Sequence, residues 1–97
     1  MVFLIDVGGC VYETTVETLS KSPTLLNALN YRRDHDISDL IFIDRDGMCF
    51  NHILNYLRTG FIWSSNTQQA QILRIEAEYY QLDDAVSQLD AQIINYT

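Results

Sequence analysis

Two adjacent glycines, Gly8 and Gly9, follow a nearly continuous apolar run from Val2 to Val7 and precede Cys10 to Thr14, which carries Val11 and Tyr12. Glycine alone reaches positive φ at both central positions of a two-residue turn at no steric cost, so this order predicts a β-hairpin. A lone hairpin is marginal in water, and the remaining residues must supply a layer to cover it. The 97 residues allow one domain, spanning 1–97, with one core. With 47% apolar residues, four Phe, six Tyr and one Trp, the chain buries enough surface to fold.

Ser22-Pro23 reads as an N-cap with proline at the first helical position, ahead of Leu25, Leu26 and Leu29. Just before it, Thr14 and Glu17 have capping-box spacing for a short helix through Leu19. Tyr31 to Asp39 is polar. Leu40-Ile41-Phe42-Ile43, bounded by Asp39 and Asp44, is expected as a strand buried on both faces, with Asp44-Arg45-Asp46-Gly47 as its exit turn. Phe50, Ile53, Leu54 and Leu57 fall at i, i+3, i+4, i+7, and Gly60 stands where a left-handed cap would end that helix. Two further helices follow. Leu73, Ala77 and Tyr80 share a face of the first, and Leu82, Ala85, Val86, Leu89 and Ile93 share a face of the second, with Asp83 and Asp84 at its N-terminus. The expected order is ββααβααα, an α+β fold in which a short, mostly β sheet (a hairpin plus a further strand) packs against about five helices.

Six Lys and Arg against thirteen Asp and Glu leave a net charge of −7, which disfavours nucleic acid and anionic membranes as partners. The longest apolar run, Met1 to Ile5, is far short of the roughly 20 residues that span a bilayer. Two cysteines, Cys10 and Cys49, are too few for a disulfide framework and read as free thiols in a reducing, cytoplasmic setting.

Catalytic and metal-binding patterns are missing from the sequence. His52 follows Cys49 by three residues, but a zinc site needs three or four ligands, and His35 is the only other histidine. Counting from Asp44, the glycine falls at position four and Asn55 at twelve, which does not fit a calcium loop. Gly8-Gly9 opens a strand and not a helix, so it is no phosphate cradle. An enzyme is not expected, nor any cofactor. An aromatic-rich acidic domain without an active site points to an interaction module. Two stripes lie beside the core positions of their helices: Cys49, His52 and Tyr56, and Ile72, Ile75 and Tyr79. Each would either thicken the core or face a neighbour.

A set of motifs recurs in one order: Asp6-Val7-Gly8-Gly9 with Tyr12-Glu13-Thr14-Thr15 and Thr18-Leu19; Pro23 and Leu26; Phe42-Ile43-Asp44-Arg45-Asp46-Gly47; Phe50 and Ile53-Leu54-Asn55-Tyr56-Leu57-Arg58-Thr59-Gly60; and Glu76-Ala77-Glu78-Tyr79-Tyr80. Together they resemble the BTB/POZ fold in its potassium-channel tetramerisation form, over residues 2 to about 90. Asp6 and Val16 depart from the Asn and Arg usual at those places. The block from Asp44 to Gly60 is closest to the soluble KCTD-like branch, and the alternative is the subunit-selection domain of a voltage-gated channel.

The resemblance implies a self-assembling scaffold or ubiquitin-ligase adaptor, a homo-tetramer or homo-pentamer, with cullin-3 as a further partner. By position, the implied ring contacts are Thr14, Asp34, Asp44, Arg45 and Asp46, with Arg45 either bonding a neighbour's carboxylate or pairing inside its own subunit. The implied cullin-3 surface is residues 30–39, with Tyr31 as anchor and Arg32 and Arg33 on a charged rim. Leu29-Asn30 stands where relatives often carry Leu-Phe, so weak or absent cullin-3 binding is expected.

Overall fold

The computed structural model describes residues 2–37 and 40–96. Asp39, the residue expected to bound the third strand, and Met1 lie outside the described residues. Strands β1 (Val2–Val7) and β2 (Cys10–Thr15) form the hairpin, followed by helices α1 (Val16–Leu19) and α2 (Pro23–Asp34), strand β3 (Ile41–Ile43), and helices α3 (Gly47–Thr59), α4 (Thr67–Tyr79) and α5 (Asp83–Tyr96). The sheet order is β2-β1-β3, with β1 antiparallel to β2 and parallel to β3. The order ββααβααα and the α+β class agree with the sequence reading.

Gly8 and Gly9 take φ of 58° and 97°, and the Asp6 carboxylate accepts the Gly9 N–H at 2.8 Å. Asp6, in the place usually held by Asn, thereby closes the turn. The turn also leans on the backbone after β3. The Gly8 N–H donates to the Ile43 carbonyl at 2.9 Å, and a Cβ on Gly8 would stand 2.2 Å from the Arg45 carbonyl oxygen. Gly47 meets the same junction from the other side, because its Cβ would lie 2.2 Å from the Val7 carbonyl oxygen. Tyr12 locks the arrangement by donating its hydroxyl to the Gly47 carbonyl at 2.5 Å.

Ile5, Val7, Ile41 and Ile43 point from the sheet onto α3, whose Phe50, Ile53, Leu54 and Leu57 are buried. The Phe50 ring lies 5.3 Å from both Tyr12 and Tyr80, bridging sheet, α3 and the end of α4. Gly60, with φ of 85°, ends α3 as the sequence expects. Ser22 caps α2, accepting from Leu25 N–H at 3.2 Å, and donates across the fold to the Tyr80 carbonyl at 2.7 Å.

Three local expectations are corrected. The cap of α1 is Thr15, whose Oγ1 accepts the Thr18 N–H at 3.1 Å, not Thr14 with Glu17. Thr14 stays in β2 because its register with Phe3 continues the strand one residue further. Helix α2 runs to Asp34, so residues 30–39, which the resemblance places between this helix and the next strand, begin as helix. Strand β3 is not buried on both faces. It is an edge strand with Ile41 and Ile43 inward, while Leu40 just before it is exposed and Phe42 is 60% exposed.

The glycine contacts yield a graded prediction. Gly8→Ala and Gly47→Ala should each cost about 3 kcal/mol or more by forcing backbone apart, whereas Gly9→Ala, with open space around its Cβ, should cost about 1 kcal/mol for its positive φ alone. Denaturant unfolding of the three variants measures the order.

Candidate interaction surfaces

Register fixes which side chains share the outer face of the sheet. Val2, Leu4 and Asp6 of β1 lie opposite Thr15, Glu13 and Val11 of β2, and Asp6 lies beside Phe42 of β3. Val2, Leu4, Val11 and Phe42 are all exposed, so one side of the sheet is core and the other is an apolar patch with a few polar neighbours. Among the described residues, no helix covers it. A second apolar surface lies on α4, where Ile72, Ile75 and Tyr79 are exposed. The neighbouring stripe on α3 behaves differently. Cys49 and Tyr56 pack against the core, and the Tyr56 hydroxyl donates to Asp84 at 2.9 Å.

Of the implied ring contacts, Arg45 is engaged inside the protomer. Its Nε and Nη2 donate to the two Glu76 carboxylate oxygens at 3.2 and 2.6 Å, and its guanidinium lies 4.4 Å from the centroid of the Tyr79 ring. Glu76 is 8% exposed, so the pair holds the β3–α3 turn to α4 in a half-dry setting. The hydrogen bond to Glu76 raises the Arg45 pKa above its ordinary value.

Asp46 is the N-cap of α3 and accepts from Met48 N–H and Cys49 N–H at 2.9 and 3.2 Å, which lowers its pKa. Thr14 is buried, facing inward in β2, and shows little surface to a neighbour. Asp34 is exposed and pairs with Arg33 at 3.3 Å, while Asp44 is exposed with no hydrogen-bond partner among the described residues.

Tyr31 is exposed on α2 and stacks on His35 with ring centroids 4.1 Å apart. Arg32 lies 5.9 Å over the Phe3 ring. A groove of about 510 Å³ runs here, with Phe3, Val16, Leu26, Leu29 and Ile37 as its apolar wall, and Asn30, Arg32 and Arg33 beside them.

Burial pushes the Cys49 thiol up to about 11, with the Asp46 charge adding to the effect, so it stays protonated and is a poor nucleophile. Among the described residues, no three His, Cys, Asp or Glu side chains come together as metal ligands, and no helix is long and apolar enough to cross a membrane.

A two-faced sheet laid on α3, closed by paired glycine turns and carrying uncovered apolar surface, is the geometry the motif series implies. Comparison with known families decides the matter: residues 3–89 match the model of the BTB/POZ domain. The chain belongs to the BTB/POZ family. It has the potassium-channel tetramerisation form of that domain, and its similarity is to KCTD-type proteins.

Over 93 residues, 92% of this chain, it is 37% identical to a Xenopus tropicalis protein named BTB/POZ domain-containing adapter for CUL3-mediated RhoA degradation protein 2. It is 38% identical over 84 residues, 80% of the chain, to the Arabidopsis thaliana FH protein interacting protein FIP2. It is 36% identical over 90 residues, 88% of the chain, to mouse BTB/POZ domain-containing protein KCTD21. The chain spans 29%, 28% and 35% of the lengths of these relatives. A BTB/POZ domain is a protein-interaction module.

The sequence reading names the turn residues and Tyr31, Arg32 and Arg33 by position and places the ring contacts on the sheet side, but it does not single out the exposed Val2, Leu4, Val11 and Phe42. Val2, Leu4 and Phe42 sit in continuous apolar runs, where inward and outward positions look alike. Glu76 was missed as the partner of Arg45 because no spacing rule links residues 31 apart.

The Arg45–Glu76 pair gives a prediction that separates fold from assembly. Arg45→Glu should lose about 2 kcal/mol of stability by placing a second carboxylate beside Glu76. Its native mass at low temperature should be unchanged, and Arg45→Met with Glu76→Met should recover most of the loss. Thermal unfolding and native mass spectrometry read the two effects.

Proposed function

We propose that this domain assembles with copies of itself into a closed ring of four or five subunits and serves as the scaffold part of an adaptor. The uncovered outer face of the sheet carries the reading. Val2, Leu4, Val11 and Phe42 form an apolar patch that a monomer would leave in water, and such patches mark protein contacts. A ring needs two different faces per subunit, and the Ile72, Ile75 and Tyr79 face of α4 is the natural complement to the sheet face. Asp34 and Asp44 belong to the polar rim of this contact, while Arg45 and Asp46 shape the turn beside it. The adapter name of the Xenopus relative favours this role over subunit selection in a channel.

Two predictions follow from an apolar heterologous contact. Assembly should persist at about 1 M salt, where the Debye length falls to about 3 Å and exposed ion pairs are screened. Phe42→Asp and Ile75→Asp should each give monomers. Mixed together, they should give a dimer and no larger species, because each variant retains the face the other has lost. Sedimentation velocity reads all three states, and full-size rings from either variant alone would contradict this contact.

The groove beside α2 favours a second function of the same module, docking of cullin-3. Its apolar wall and the Arg32 and Arg33 rim suit an apolar segment with acidic flanks, and Tyr31 is placed as an anchor. Asn30 lines the groove at a place where a larger apolar side chain would add contact area. Affinity for the cullin-3 N-terminal domain is therefore expected to be weak, with a Kd above about 1 μM. Titration calorimetry tests this. Sub-micromolar binding that is lost in Tyr31→Ala would show a strong adaptor.

A further inference from the structure

The connection between α3 and α4 is not a slack loop. Residues 60–64 lie along α5, and side chains one helical turn apart hold their backbone. Gln88 donates to the Gly60 carbonyl at 2.8 Å and accepts the Ile62 N–H at 3.1 Å. Gln92 donates to the Ile62 carbonyl at 2.7 Å and accepts the Ser64 N–H at 2.9 Å, and the Tyr96 hydroxyl donates to the Ser64 carbonyl at 2.5 Å. Helix α5 thus pairs with this segment as a neighbouring strand would, using amide side chains in place of a backbone.

Pairing on one side leaves the alternate residues turned out. Ile62 is buried, while Phe61 is 59% and Trp63 72% exposed, with near-parallel rings at an interplanar angle of 11° and centroids 6.2 Å apart. The Phe61 N–H and carbonyl are both engaged by Thr59 Oγ1. Among the described residues, no group meets the Trp63 N–H or C=O. Beside the rings is a cleft lined by His52, Asn55, Ser65 and Gln69, with no carboxylate, lysine or arginine. Two large exposed aromatics on a backbone already fixed form a binding surface whose ordering cost is met before a partner arrives.

Charge decides between partners. The chain carries −7, and each of its six cations has an intramolecular partner. Arg33, Arg45 and Arg74 pair with carboxylates, Lys21 and Arg58 donate to carbonyls, and Arg32 lies over Phe3. The negative net charge of the chain draws cationic ligands, and tryptophan is the best aromatic platform for a cation.

We propose that the Phe61–Trp63 segment docks a basic, extended peptide segment of a partner protein. The partner's backbone pairs with the Trp63 N–H and C=O, and an arginine or lysine side chain lies across the two rings. This surface includes neither the sheet face nor Ile72, Ile75 and Tyr79, although His52, Ser65 and Gln69 of its cleft also line the pocket beside Ile72.

Trp63 is the only tryptophan, and its emission reports on the site directly. The probe is a capped pentapeptide alternating valine and arginine, with a glutamate-for-arginine counterpart as control. At low ionic strength the arginine peptide should shift Trp63 emission saturably, and the glutamate peptide should not. By calorimetry, Trp63→Ala and Phe61→Ala should each weaken binding about ten-fold. Both variants should keep their thermal midpoint and native mass.

Equal binding by Trp63→Ala would overturn the proposal, since the peptide would then be held by the general field. Equal binding of the glutamate peptide would do the same. A Trp63 shift with phosphatidylcholine vesicles but none with the peptide would reassign the surface to membranes, and a fall in native mass in Trp63→Ala would reassign it to self-association.

Discussion

The structure depends on one close approach of backbone to backbone. Gly8 in the hairpin turn and Gly47 at the head of α3 let the β1–β2 and β3–α3 connections touch where any Cβ would stand about 2 Å from a carbonyl oxygen. That contact lays β3 beside β1 and starts α3 directly over the inward side chains Ile5 and Val7. Tyr12, Asp6 and Asp46 then fasten the junction with hydrogen bonds to Gly47, Gly9 and the first turn of α3. The Asp-Arg-Asp-Gly sequence is thus a piece of turn architecture, and its arginine reaches onward to Glu76 to bring α4 into register.

A consequence of this arrangement is asymmetry. Helices fill one side of a three-stranded sheet and leave the other bare, so the protomer is stable while still carrying apolar surface on Val2, Leu4, Val11 and Phe42. A soluble monomer of this size has little reason to keep such a patch. The same reasoning applies to Ile72, Ile75 and Tyr79 on α4, whose neighbours Leu73, Ala77 and Tyr80 already complete the core. Two separate unsatisfied faces are what a heterologous, closing contact requires.

Much of the fold was legible because its signals are local. Gly8-Gly9 needs positive φ, Ser22-Pro23 needs a helix start, and Phe50, Ile53, Leu54 and Leu57 with Gly60 delimit α3 almost to the residue. Adjacent Thr14 and Thr15 misled the cap of α1, because both carry the right hydroxyl and only strand register chooses between them. β3 was misread for a related reason. Four apolar residues in a row look the same whether the second face meets a helix of the same chain or surface left for another. The surfaces were harder still: Arg45–Glu76 and the Gln88–Gln92 grip on residues 60–64 join positions about thirty apart, and such pairings leave no periodic trace.

The central claim, that the outer sheet face is covered by a neighbouring subunit, is most directly tested by carbene footprinting across a dilution series, read residue by residue by mass spectrometry. Labelling of Leu4, Val11 and Phe42 should fall as the assembled species forms, in step with that of Ile72 and Ile75, while Trp63 stays fully labelled throughout. Labelling of Phe42 that is the same in assembled and dissociated protein would contradict the claim.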